Sequence, residues 1–163
     1  MKLKSGVALG LAAVIAFAMF SGPVMTASSA PTHTTIRGIY SRTAYNNNRL
    51  YSDSDNSGGY SQGDIVTAHA ILHKGGKATG KIVDFCGIVD DRGPGQVQCD
   101  STFVRPKGDT ITFSGQAADD PSPGIVHHAS ITGGTGRYAR ARGTVKIEFG
   151  EHAIHYVFRV ITQ

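Results

Sequence analysis

Hydrophobic and polar residues alternate with a period of two through most of the chain. Between residues 64 and 73 one face is apolar throughout, and the same holds near the C-terminus, where Ile154, Tyr156, Phe158 and Val160 share a side. Such alternation predicts β-strands with one dry face and one wet face. No segment after residue 30 shows a sustained helical stripe with start and stop signals.

Short turns rich in glycine, proline and aspartate divide the pattern into eight predicted strands. An antiparallel meander of this size protects its edges most simply by closing. We therefore predict an all-β fold, an eight-stranded antiparallel up-and-down β-barrel, with a β-sandwich as the alternative. The predicted strands lie near residues 36–40, 64–73, 79–89, 96–105, 109–116, 126–132, 142–149 and 152–161.

The stretch 45–63 differs from the rest because it is polar and has few apolar side chains. It is predicted to be a flexible polar loop that covers an opening or is simply mobile. Asp53, Asp55 and Asn56 resemble the start of a calcium-binding loop, but no acidic residue closes that loop seven residues beyond Gly58. No metal site is predicted.

The first 30 residues have the order of a secretory signal peptide. Lys2 and Lys4 precede an uncharged apolar run, residues 6–20, and small residues follow up to Ala30. About fifteen apolar residues fall short of the roughly 20 that a spanning helix needs, so we expect a cleaved leader and no membrane span. Cleavage is expected between Ala27 and Ala30, and the mature protein is predicted to be secreted.

The remaining residues, 31–163, suit a single domain with a modest core. The chain has 16 Lys and Arg against 12 Asp and Glu. Loss of Lys2 and Lys4 with the leader leaves 14 basic residues, a net charge near +2. Nucleic acid is not an expected partner, because that function needs a larger basic surface with interleaved aromatic residues.

Cys86 and Cys99 are the only cysteines. In an exported protein they are more consistent with a disulfide than with free thiols, and two thiols alone make a poor metal site. A hairpin folded about Arg92 and Gly93 places the two cysteines directly opposite each other, where cross-strand side chains come close enough to bond.

Residues 131–143, with the sequence ITGGTGRYARARG, resemble the signature turn of the allene oxide cyclase and dirigent superfamily. The run 61–66 is similar to that family's "GD" start of an early strand. Residues 145–147 and 156–158 are similar to its closing hairpin. The glycines of this turn, Gly133, Gly134, Gly136 and Gly143, are expected to be structural, because they allow positive φ and close approach of neighbouring chains.

The resemblance implies an eight-stranded barrel that encloses an apolar pocket and uses no cofactor. It also implies an apolar small-molecule ligand or substrate, a separate oxidase that supplies radicals in the dirigent case, and a homo-dimer or homo-trimer. Side chains on the dry strand faces are the candidate pocket walls, with plain core packing as the alternative: Phe85 (or Phe103), Phe113, Phe149, Tyr156 and Phe158.

Tyr156 is the first choice for a polar group inside, because a buried hydroxyl needs a partner. Asp53 and Asp55 are weaker catalytic candidates, as stand-ins for the acidic residues that dirigent proteins place beside the cavity. Residues 36–64 contain no glutamate, which argues against the plant cyclase's own reaction.

Three hypotheses follow from the sequence. The first is a secreted cyclase, isomerase or dirigent-like auxiliary that steers the cyclisation or stereoselective coupling of an apolar molecule. The second is a lipocalin-like binder without chemistry. The third is a structural protein with a solidly packed barrel.

Overall fold

The computed structural model describes residues 30–92 and 95–163. The predicted leader, apart from its last residue, lies outside the described residues, as does the tip of the hairpin between the two cysteines.

The described chain forms one antiparallel sheet that closes on itself. Its strands are β1 (Thr32–Ser41), β2 (Arg49–Ser52), β3 (Ile65–Lys74), β4 (Lys77–Asp90), β5 (Gln96–Val104), β6 (Thr110–Ala118), β7 (Val126–Gly134), β8 (Arg142–Phe149) and β9 (Ala153–Thr162). Each strand from β3 to β8 pairs with the next, β9 pairs with β1, and β1 pairs with β3 at Ile39 and His73. The result is a closed eight-stranded antiparallel barrel, as predicted, with β2 added at the edge of β3.

All eight predicted strands are present with small shifts at their ends, but the predicted loop 45–63 is wrong in its first part. A short helix, α1 (Arg42–Asn47), and the strand β2 occupy it. A six-residue helix is too short to show a hydrophobic stripe, and β2 is held by its pairing with β3. No helix within the described ranges is long and apolar enough to cross a membrane.

One end of the barrel is solidly packed. Large apolar side chains from β3 to β6 and from β9 fill it, and several are fully buried: Leu72, Ile82, Phe103, Ile111 and Phe158. The rings of Phe103 and Phe158 stack with their centroids 4.8 Å apart. A 3₁₀ turn, Gly136–Tyr138, lies at this end, and the buried Tyr138 side chain belongs to the same core cluster.

The disulfide between Cys86 and Cys99 is present and joins directly opposite residues of β4 and β5. The alternation of the two strands turns both sulfurs towards the barrel interior, in phase with Ile82 and Phe103. Closing this short loop contributes on the order of 3 kcal/mol to stability, chiefly by restricting the unfolded chain.

The four glycines of the turn between β7 and β8 differ in how strictly the local geometry requires a glycine. Gly136 has a φ of 58°, in the left-handed region that favours glycine, and Gly143 has a φ of 135°. A Cβ at Gly134 would lie 2.1 Å from the carbonyl oxygen of Thr110, whereas a Cβ at Gly133 would have no neighbour nearer than 3.6 Å. Three of the four glycines are therefore required by local geometry, and Gly133 is not.

The two adjacent glycines provide a matched stability test. We expect Gly134→Ala to lower the free energy of unfolding by about 1–3 kcal/mol, because the new methyl group must push a backbone carbonyl aside. We expect Gly133→Ala to change it by less than about 1 kcal/mol. Urea unfolding followed by circular dichroism measures both. Equal losses in the two variants would contradict this account of the turn.

Candidate ligand-binding and active site

The end of the barrel opposite the 3₁₀ turn contains a cavity of about 90 Å³ that is partly open to solvent. Helix α1, strand β2 and the loop after β6 contribute to its lining. The apolar lining comes from Val66, Ala68, Val97, Phe113, Ala117, Ala129, Ile147 and Phe149. This volume is larger than the roughly 10–15 Å³ that one water requires and smaller than the roughly 300 Å³ at which pockets for drug-sized ligands begin. It suits a ligand of about one ring.

A carboxyl group stands in the middle of this apolar wall. Asp84 lies on the inner face of β4, in phase with Ile82 and Cys86, and is paired with Ala68 on β3 and Ser101 on β5. Burial raises the pKa of Asp84 to about 6, and the Ser101 hydroxyl offsets part of that rise. Burial without a cation disfavours the charged form of a carboxyl group. Asp84 therefore changes its protonation state close to neutral pH.

Tyr156 lines the same cavity from β9 and is 3% exposed. Burial raises the pKa of its hydroxyl well above the usual value, and the negative charge of Asp84 raises it further, with smaller contributions from Tyr45 and Tyr40. The hydroxyl is therefore protonated at all physiological pH values and can donate a hydrogen bond inside the cavity.

An ion pair stands at the rim of the cavity. One terminal nitrogen of Arg49 on β2 donates to both carboxylate oxygens of Asp119, at 2.8 and 2.7 Å. The guanidinium carbon lies 5.6 Å from the centroid of the Tyr60 ring. The Nε of Arg49 has no hydrogen-bond partner in the described part of the chain. This contact joins β2 to the loop after β6, two of the elements that line the cavity.

His127 also lines the cavity, with its ring centroid 5.2 Å from that of Phe149. Burial lowers the pKa of His127, against the opposing charges of Asp120 and Asp119. The imidazole is therefore mostly neutral at pH 7, and it adds no compensating positive charge to the cavity.

The predicted pocket residues separate into three groups. Phe113, Phe149 and Tyr156 line the cavity, whereas Phe158 is packed in the solid core, 5.5 Å from the Phe113 ring. The prediction for Phe85 is wrong in its placement: this side chain lies on the outer face and is 52% exposed. Phe85 directly follows the inward-facing Asp84, and successive side chains of a strand point to opposite faces, so Phe85 points outwards.

The weaker catalytic candidates Asp53 and Asp55 lie on the loop after β2 and do not line the cavity. They accept hydrogen bonds from the backbone amides of Ser57 and, for Asp53, of Gly58. Their carboxylate oxygens and one of Asp64 lie within 4.8 Å of one another. These two aspartates order the loop on which they lie.

Asp64 organises the base of the same loop. Its buried carboxylate accepts hydrogen bonds from the backbone amides of Ser54 and Ser61, at 2.7 and 2.8 Å, and from the hydroxyl of Tyr51. These donors, led by the Ser54 amide, hold its pKa well below the usual range. Asp64 is thus an ionised anchor of the loop, in contrast to Asp84.

Sequence reasoning missed Asp84 and Arg49. The sequence does contain a signal for Asp84. It is the one carboxylate between Ile82 and Ile88 on the strand face that these two residues share, and the charged Lys81 lies on the opposite face. No comparable signal marks Arg49, whose position depends on the pairing of β2 with β3.

No protein-family model matches the chain, and no curated protein matches it in sequence. Solved structures do match in fold. A pyocyanin demethylase superposes with a TM-score of 0.63 at 18% identity, covering 79% of this chain and 99% of that one. The pterocarpan synthase dirigent protein GePTS1 gives 0.64 at 16% identity, covering 83% and 88%.

The Diels Alderase AbmU from Streptomyces koyangensis superposes with a TM-score of 0.59 at 15% identity, over 80% of this chain and 64% of the other. Identities this low establish similarity of fold alone. The chain has the allene oxide cyclase and dirigent-like barrel fold.

Replacing the carboxyl group of Asp84 tests the electrostatics of the cavity. Because the pKa of Asp84 is higher in the folded than in the unfolded chain, its ionisation destabilises the fold progressively between pH 4 and 6 and by about 3 kcal/mol at pH 7. We expect Asp84→Asn to raise the free energy of unfolding at pH 7 by about 2–3 kcal/mol. Near pH 4 the gain should disappear.

Urea unfolding at a series of pH values measures this difference. Asp100→Asn, on the exposed face of the neighbouring strand β5, is the matched control and should follow the unaltered protein. A constant difference between the Asp84 variant and the unaltered protein from pH 4 to 7 would contradict the raised pKa.

Proposed function

We propose that this protein binds an apolar small molecule in the cavity at one end of its barrel. The protein steers the cyclisation or coupling of that molecule, with Asp84 as the proton-transferring group. The observation that carries the proposal is the carboxyl group of Asp84, which stands in an apolar cavity with its pKa raised to about 6. A titratable group in a cleft whose pKa is perturbed by desolvation is a candidate for a functional role.

The placement of Asp84 is costly for the fold. An apolar residue in its position would avoid the desolvation of a charge, and the neighbouring inward positions on β4 carry Ile82 and the disulfide-bonded Cys86. Local departures of this kind from an otherwise consistent pattern are expected at functional sites, where stability is given up for chemistry.

The chemistry available to the cavity follows from its two polar groups. The Asp84 carboxylate can accept a proton from a bound substrate, and burial makes it a stronger base than an exposed carboxylate. The Tyr156 hydroxyl can donate a hydrogen bond to an oxygen on which negative charge develops. The apolar walls hold the substrate in a reactive conformation, which removes part of the entropic barrier.

The structural neighbours support the small-molecule part of the proposal. Their names describe a demethylase, a pterocarpan synthase dirigent protein and a Diels Alderase. Each of these names refers to the chemistry of a small organic molecule. The barrel is the feature that this chain shares with them.

We further propose that the protein acts outside the cytoplasm. The support is the disulfide between Cys86 and Cys99 together with the leader-like order of residues 1–30. Disulfides persist in oxidising compartments.

Binding is tested with benzyl alcohol, a neutral probe with one ring. We expect saturable shifts of the methyl resonances of Ala68 and Ala129, which line the cavity, in ¹H–¹³C NMR spectra, with a dissociation constant in the millimolar range. Ala68→Leu should fill the space and abolish the shift of the Ala129 methyl resonance. Thr67→Leu, on the outer face of the same strand, is the matched control. Shifts confined to exposed residues would contradict a binding cavity.

Proton transfer is tested with 5-nitrobenzisoxazole. Removal of its C3 proton by a carboxylate breaks the N–O bond and releases a coloured cyanophenolate. We expect the rate to rise with pH through about 6, as Asp84 ionises, and then to level. Asp84→Asn should lower the rate at least about 100-fold, and Asp100→Asn should leave it unchanged.

Competition by benzyl alcohol confirms that the nitrobenzisoxazole occupies the cavity. If the probe binds competitively but reacts at the same rate in the protein and in its Asp84 variant, the protein binds without chemistry.

A further inference from the structure

Three carboxylates and one guanidinium lie among the residues that line the cavity. The acidic residues are Asp84, Asp119 and Asp120, and the basic one is Arg49. His127 also belongs to the lining, and burial lowers its pKa, which leaves the imidazole mostly neutral at pH 7. With Asp84 ionised, the cavity has an excess of negative charge although the whole chain is basic.

The single guanidinium is already engaged. Arg49 donates to both oxygens of Asp119, and the side chains of this pair are only 18% and 16% exposed. Asp120 accepts a hydrogen bond from the backbone amide of Ser122 at 2.9 Å. Asp84 is therefore the carboxylate of the lining that has neither a cation nor a backbone donor.

The groups that surround Asp84 from each neighbouring strand are not basic. Ala68 on β3 and Ser101 on β5 are its direct cross-strand partners, and Tyr156 approaches from β9. Tyr45 on α1 is also near enough to interact with its charge. Arg49 and His127 also line the cavity, and neither contributes to the titration of Asp84, which burial and Ser101 govern.

Aromatic rings complete the enclosure. Tyr45, Phe113, Phe149 and Tyr156 all line the cavity. The faces of such rings attract a cation, most strongly where water is excluded. Arg49 on the ring of Tyr60 is an example of this contact at the rim. A desolvated carboxylate in a cavity lined by aromatic rings is complementary to a positive charge that the groups next to Asp84 do not supply.

From this arrangement we infer that the ligand of the cavity is an apolar ring bearing a protonated, positively charged nitrogen, which Asp84 and the surrounding aromatic rings bind. The inference rests on the proposed binding function and specifies its ligand class. The nitrogen of the ligand supplies the missing partner of the carboxylate, and the ring fills the apolar walls. An anionic ligand would meet the excess of carboxylates and would have to displace Asp119 from Arg49.

Three probes with the same ring test this ligand class: benzylammonium, benzyl alcohol and benzoate. Isothermal titration calorimetry at pH 7.5 should show benzylammonium binding at least about tenfold more tightly than benzyl alcohol, with benzoate weakest. Lowering the pH to 5 should reduce the affinity for benzylammonium about tenfold, because Asp84 then binds a proton. The affinity for benzyl alcohol should change little.

Asp84→Asn should remove the preference for the cation while it preserves the binding of benzyl alcohol, and Asp100→Asn should preserve both. If benzyl alcohol binds in the cavity and benzylammonium binds no better, or benzoate binds best, the inference is wrong and the proposed function stands. If none of the three probes shifts the resonances of Ala68 and Ala129, the proposed function fails, and the inference fails with it.

Discussion

The closure of the sheet through the pairing of β1 with β3 is the constraint on which the rest of the structure depends. A closed sheet has only an inside and an outside, so every second residue of each strand must face the interior. That rule places the Cys86–Cys99 disulfide, Asp84 and Tyr156 in one space. It also sends Phe85 outwards.

The interior is filled unevenly along its axis. At one end Phe103, Phe158 and Ile111 leave no room, and the 3₁₀ turn covers them. Towards the other end the inward positions of β6 carry Gly115 and Ala117, which are too small to reach the opposite wall. Burial of apolar side chains at the packed end stabilises the fold. This stability allows the end that contains the cavity to retain a desolvated carboxyl group.

Prediction from the sequence succeeded for features set by residues close together in the chain. It failed for features set by contacts between distant strands. Alternation and turn residues identified eight strands, and the distance of Cys86 and Cys99 from the hairpin turn identified their pairing. The choice of Phe85 was wrong because both faces of β4 carry apolar residues, and the pattern does not say which face closes inwards. Asp84 was overlooked because the pattern does not fix the inward face and because a lone aspartate on a strand is usually solvated.

The sequence by itself determined eight of the strands and the turns between them, because each depends on neighbours a few residues apart. Closure into a barrel rather than a sandwich depended on the pairing of β1 with β3, which are distant in the chain. Only the tertiary structure decided which face of each strand is internal and that Arg49 meets Asp119. It also decided that Asp84 lies beside Tyr156 without a cation. The pKa of a carboxyl group depends on its surroundings in three dimensions, and strands far apart in the chain assemble those surroundings.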